Sequence, residues 1–203
     1  MRIMNNFLSR YLFVTSTFVL LLMPQFAMAG IEEGIAAYNS GDHASAYDEF
    51  LLVAKAGDKK AQLLLGLMYD NGLGVKKDHD SAAQWYRRAA EQGQPRAQFN
   101  LGLMYESGEG IQADEELALS WIRKSAEQGY AEAQDMLGRF YEHGKYLDKD
   151  LVKSHTWYSL AAGKGARESI APRERVAAQL SEAQLAESEK MVNEWQNVFQ
   201  HVF

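Results

Sequence analysis

The chain has 203 residues, with 27 acidic against 21 basic side chains and a formal net charge of −6 at pH 7. That acidic balance repels nucleic acid and anionic lipid, which disfavours both as partners. The absence of cysteine excludes disulfides, thiolate metal sites and a lipid-modified N-terminal cysteine, while 47% hydrophobic and 24% charged residues describe a chain with a packed core.

Residues 1–29 read as a secretory signal. Arg2 and Arg10 form a basic n-region, Tyr11 to Met23 is apolar, Pro24 breaks the run, and Ala27-Met28-Ala29 gives a small-x-small cleavage pattern before Gly30. The apolar run is too short for a bilayer, which takes roughly 20 residues, so no stable membrane insertion is expected after cleavage. Removing Arg2 and Arg10 leaves 19 basic against 27 acidic side chains, a net −8. The expected address is the bacterial periplasm or the exterior.

Residues 30–60 read as a degenerate helical unit with a shortened loop. Tyr38 and Gly41 match Tyr69 and Gly72 at a step of 31, Ala54 and Gly57 match Ala90 and Gly93 at 36, and Phe50 stands for the large aromatic of the second helix. Three 36-residue units follow, at 61–96, 97–132 and 133–165. Ala61-Gln62, Leu65-Gly66, Tyr69, Gly72, Trp85, Ala90 and Gly93 each return twice at that step. So many coincidences at one period mark a stacked-repeat architecture.

Each unit reads as two helices. Ala61, Leu65 and Tyr69 share one face of the first, and Gly72 ends it. The helix-interior Gly66 costs about 1 kcal/mol against alanine, which close approach of a neighbouring helix would repay. Asp78, Asp114 and Asp150 are placed to cap the second helices. Ala82, Trp85, Ala89 and Ala90 form the expected buried stripe there. Residues 166–203 read as capping helices: Pro172 opens a short one, and Ser181 with Gln184 forms a capping box before a stripe of Leu185, Ser188, Met191, Val192, Trp195 and Phe199.

The pattern A-x-x-x-L-G-x-x-Y-x-x-G-x-G-V followed by A-x-x-W-Y-x-x-A-A-E-x-G resembles the Sel1-like repeat family, a relative of the tetratricopeptide repeat. Ala61 to Gly93 and Ala97 to Gly129 carry it well, with Ile111 and Ile122 as departures in the second. In the third, Gly144-Lys145-Tyr146-Leu147 lacks the second glycine, which leaves the course of that loop open. The resemblance implies an all-α fold, an α/α superhelix forming a right-handed solenoid of antiparallel helix pairs. It also implies an adaptor role, with the first helix of each pair lining a concave surface.

Recognition of a protein or peptide partner would then fall to Lys60, Leu63, Leu64, Leu67, Asp70 and Asn71 in the first unit. In the second it would fall to Arg96, Phe99, Asn100, Leu103, Glu106 and Ser107, and in the third to Glu132, Asp135, Met136, Arg139, Glu142 and His143. No catalytic, cofactor-binding or metal-binding residue is expected. His43, His79, His143, His155 and His201 form no metal-ligand spacing, and the paired glycines recur at the repeat period with no G-K-[ST] behind them. The expected function is a non-enzymatic adaptor of the bacterial cell envelope. A cell-wall or β-lactam hydrolase and a structural scaffold of an envelope machine are the alternatives.

Overall fold

The described residues of the computed structural model are 30–199, so the expected signal and the terminal His201, Val202 and Phe203 lie outside them. Among the described residues the chain is all-α, with no strand. It divides into two compact units, one ending at Lys77 and one beginning at Asp78.

The first unit holds α1 (residues 30–40), α2 (His43–Lys55) and α3 (Lys59–Asn71). Asp42 and Asp58 begin α2 and α3 by accepting hydrogen bonds from Ser45 N and from Lys60 N and Ala61 N, the usual work of an aspartate N-cap. Phe50 of α2 is completely buried, and a Cβ on Gly34 of α1 would stand 2.5 Å from its ring. A glycine on the first helix therefore faces a large buried side chain on the second.

The second unit holds α4 (His79–Glu91), α5 (Pro95–Ser107), α6 (Glu115–Glu127), α7 (Ala131–His143) and α8 (Leu151–Gly163). A 3-10 turn (Arg167–Ser169), α9 (Ile170–Ala177) and α10 (Glu182–Phe199) complete it. Consecutive helices from α4 to α8 pack on one another, and α8 also carries α9 and α10. Asp78, Asp114 and Asp150 cap α4, α6 and α8 as the sequence requires. Gly102 and Gly138 mark where paired helices touch. An added Cβ would meet Ile122 at 2.7 Å in the first case and the Tyr158 ring at 2.7 Å in the second.

The tryptophan stripe needs correction. Trp85, Trp121 and Trp157 are half-buried, and the completely buried large residues are the next ones along, Tyr86, Ile122 and Tyr158. The small residues set this phase: with Ala82, Ala89 and Ala90 against the partner helix, the residue four after Ala82 lies at the centre of that face and Trp85 at its edge. The indoles cover the margin of the core instead. Arg88 lies 4.6 Å from the Trp85 ring centroid and Lys124 4.2 Å from that of Trp121, as cations do over aromatic faces.

The Ala-Gln pairs acquire a role the periodicity alone did not disclose. Gln62, Gln98 and Gln134 are buried, and each donates through Nε2 at 3.1 Å to the carbonyl of the residue eight before it, Ala54, Ala90 or Ala126. Those carbonyls belong to the ends of the preceding helices, where intrahelical donors have run out. One side chain thus ties each of α3, α5 and α7 to the helix before it.

The loop of the third repeat keeps the course of the other two without its glycine. Tyr146 adopts φ 63° where Gly110 has φ 68°. At Gly110 a side chain is impossible, because its Cβ would overlap the His79 carbonyl. Tyr146 offsets the cost of a left-handed residue, roughly 1–2 kcal/mol, with contacts glycine could not make. Its ring meets Phe140 edge-on at 5.0 Å and its hydroxyl donates to Glu106 Oε1 at 3.4 Å.

The C-terminal segment packs on the repeats. The capping box forms, with Ser181 N donating to Gln184 Oε1 at 3.0 Å and Gln184 N to Ser181 Oγ at 3.3 Å. Along α10, Ser188 is fully buried and Leu185, Met191, Val192 and Trp195 are half-buried.

Candidate functional site

In the second unit the expected recognition residues lie on α5 and α7. Phe99 and Met136 are half-buried and pack against one cluster, Ile122, Ala126, Ala133, Leu137 and Phe140. The Phe99 ring also leans on Tyr130, with centroids 5.4 Å apart. Asn100 and Leu103 are half-buried, while Arg96, Ser107, Glu132, Arg139 and His143 are exposed. The two helices therefore present a partly covered apolar line bordered by polar and charged side chains. This composition suits a protein segment that covers the centre and leaves the rim wet.

Asp135 and Glu142 do not belong to that surface. Their residues keep 5% and 7% exposure, and both carboxylates are consumed by the C-terminal cap. Asp135 accepts from Ser169 Oγ at 2.6 Å and from Arg139 Nε at 3.0 Å. Glu142 accepts from Tyr158 Oη at 2.8 Å, from Arg175 Nε at 3.0 Å and from Arg175 Nη2 at 2.9 Å. Burial first, and then the Glu142 hydrogen bond, push the Tyr158 phenol above its ordinary range. Where α7 would offer its carboxylates to a partner, the 3-10 turn and α9 already occupy them.

Glu106 is likewise engaged. Lys145 Nζ lies 2.6 Å from its Oε1, and the Glu106 hydrogen bond raises the lysine pKa. This clasp fastens the third loop to α5.

In the first unit, Lys60 and Asn71 on α3 are exposed, and Leu64, Leu67 and Asp70 are half-buried. Leu63 is an interior residue with 6% exposure, a second place where the expected surface is in fact core. The Asn71 amide donates back to Leu67 O at 2.8 Å.

The nearest approach to catalytic chemistry is a hydroxyl–imidazole chain between α8 and α10. Thr156 Oγ1 donates to Val152 O at 2.9 Å, so its oxygen must accept from Ser188 Oγ at 2.9 Å, and Ser188 in turn must accept from His155 Nδ1 at 2.8 Å. That order places the histidine proton on Nδ1. In this direction the imidazole is a donor to the serine and cannot act as its base. Ser188 is also fully buried, so the chain holds α10 in place. Among the described residues no cluster of three or more metal-ligating side chains occurs, and no helix is long and apolar enough to cross a membrane.

These features can be set beside known proteins. The Sel1 repeat profile matches residues 59–94, 95–130 and 131–165, a little over half of the chain. A solved Sel1 repeat protein from Oxalobacter formigenes is 38% identical with a TM-score of 0.67, the match covering 70% of this chain and 59% of that one. A protective antigen present in uropathogenic Escherichia coli strains, which displays the same repeat fold, is 26% identical with a TM-score of 0.59, covering 83% and 45%. The chain thus spans about three-fifths of the first structure and under half of the second. A comparison with curated proteins found no match. Sel1 repeat proteins are in general protein-interaction modules, typically without enzymatic activity. With three matched repeats, buried glycine contacts between paired helices and a glutamine tie repeated at each joint, the chain belongs to the Sel1 repeat family.

Proposed function

We propose that the protein is an exported adaptor of the bacterial cell envelope, gripping a segment of a partner protein on the concave face lined by its first-position helices α5 and α7. The observation that carries this reading is the apolar line of Phe99, Leu103 and Met136, set among Arg96, Asn100, Arg139 and His143 on α5 and α7. Lys60, Leu64, Leu67 and Asn71 are the corresponding residues of α3 in the first unit. The signal-like residues 1–29 support export, and the acidic surface favours a protein partner over nucleic acid or anionic membrane.

The test is site-specific photo-cross-linking in cells of a Gram-negative host, with the reactive residue placed at Asn100 or His143. A control places it at Leu117, which is exposed on the second-position helix α6. A discrete partner band from the first two positions and none from Leu117, with a mature chain beginning at Gly30, is the expected result. Equal labelling from all three positions, or a retained signal, would count against the reading.

A further inference from the structure

A cleft of about 390 Å³ opens at the C-terminal cap. Its walls are His155 and Ser159 of α8, Arg173 of α9, and Glu189, Val192 and Asn193 of α10. Small-molecule sites commonly occupy roughly 300–1,000 Å³, so the space admits a ligand the size of an amino acid or a dipeptide.

The lining chemistry narrows the choice. Arg173 and Glu189 bring opposite charges to one cleft. The ion pair that Arg173 makes is a loose one with its neighbour Glu174, at 3.9 Å. Among the described residues Glu189 makes none. His155 contributes a fixed tautomer: its Nδ1–H is committed to Ser188, which leaves Nε2 as an acceptor on the neutral ring. Burial first and then the Arg173 charge lower the histidine pKa, with Glu189 opposing, so the ring is neutral near pH 7. Asn193 adds an amide, Ser159 a hydroxyl and Val192 an apolar wall. A simple anion would confront Glu189, and a simple cation would confront Arg173. A neutral molecule would cover both charges without answering either.

We infer that this cleft binds a small zwitterion bearing an ammonium and a carboxylate, a free amino acid or a dipeptide. Arg173 and the Asn193 amide receive the carboxylate, Glu189 and the His155 Nε2 acceptor receive the ammonium, and Val192 lies against the ligand's side chain. The site is separate in its residues from the interaction surface on α5 and α7, and neither depends on the other.

The full mature chain is titrated separately with pooled free L-amino acids, with pooled dipeptides, and with N-acetyl amino-acid amides, which carry neither charge. Melting temperature and the His155 imidazole NMR signals are followed together. Saturable shifts with one charged pool and none with the amides are expected, and the responding pool identifies the source of the zwitterion. Affinity should fall at least about tenfold in Arg173→Gln and in Glu189→Gln, while the melting temperature of each ligand-free variant stays near that of the native chain. Three results would overturn the inference: no saturable response to either charged pool up to about 10 mM, binding by either variant as tight as by the native chain, or binding of the neutral amides as tight as that of the charged ligands.

Discussion

Replacing Gly138 by alanine would bring a methyl group to within 2.7 Å of the Tyr158 ring. Both partners are buried, and Tyr158 is held by Glu142, so the ring has little room to yield. Overpacking of this kind costs typically about 1–3 kcal/mol and should outweigh the helix-propensity gain of about 1 kcal/mol. Gly163 ends α8 with nothing within 4 Å of an added Cβ and no positive φ, so the same substitution there should be neutral or stabilising by up to about 1 kcal/mol. Urea denaturation of the two variants reads the contrast. Stabilisation by Gly138→Ala would show that the helix pair does not need its close approach. The glycine was legible in the sequence because a costly residue recurred at a fixed phase. The glutamine tie was not, since a recurring Gln reveals that it is required but not which carbonyl it serves.

At the scale of the element, the question is what holds the C-terminal helices to α7 and α8. Two polar joints do so, and they should fail differently. Arg175→Met removes a two-pronged contact from the buried Glu142 carboxylate and leaves it the Tyr158 hydroxyl, with the His143 ring 3.8 Å away. Loss of one partner of a buried charge can cost about 3–5 kcal/mol. Because the Arg175 side chain is 54% exposed, water screens the pair, and about 1–2 kcal/mol is expected in chemical denaturation. No measurable change would mean that the salt bridge is ornamental.

The His155 joint should instead respond to pH. Its folded-state pKa lies below the ordinary value of 6.5, so below about that pH the unfolded chain binds more protons than the folded one. Stability therefore falls as pH drops through 6.5 towards the lower folded-state value, and this contribution is absent above that window. Melting temperatures from pH 8 to pH 5 should decline more steeply for the native chain than for His155→Gln, the carboxylates being common to both. Parallel declines would show that His155 contributes nothing to the pH dependence. Neither joint stood out in the sequence, because each draws its partners from helices distant along the chain and outside the repeat phase.

For the whole molecule, fold class and repeat number followed from the recurrence of small and large residues at one step, which encodes local helix pairing directly. The assignment of surface to core was less legible. Tyr86, Ile122 and Tyr158 displaced the tryptophans from the centre because a one-residue shift turns a helix face by 100°. Leu63, Asp135 and Glu142 left the expected surface, the two carboxylates because the cap adds a layer that the repeat pattern does not describe. Of the expected recognition residues on α5 and α7, Arg96, Asn100, Leu103 and His143 reach solvent at least in part. Once a cross-linked partner is in hand, the decisive measurement is its affinity for the variant carrying alanine at all four positions, alongside that variant's melting temperature. Recognition along this face predicts at least about a hundredfold loss of affinity, with the melting temperature lowered by no more than about 5 °C. Undiminished binding by a variant that remains folded would contradict it.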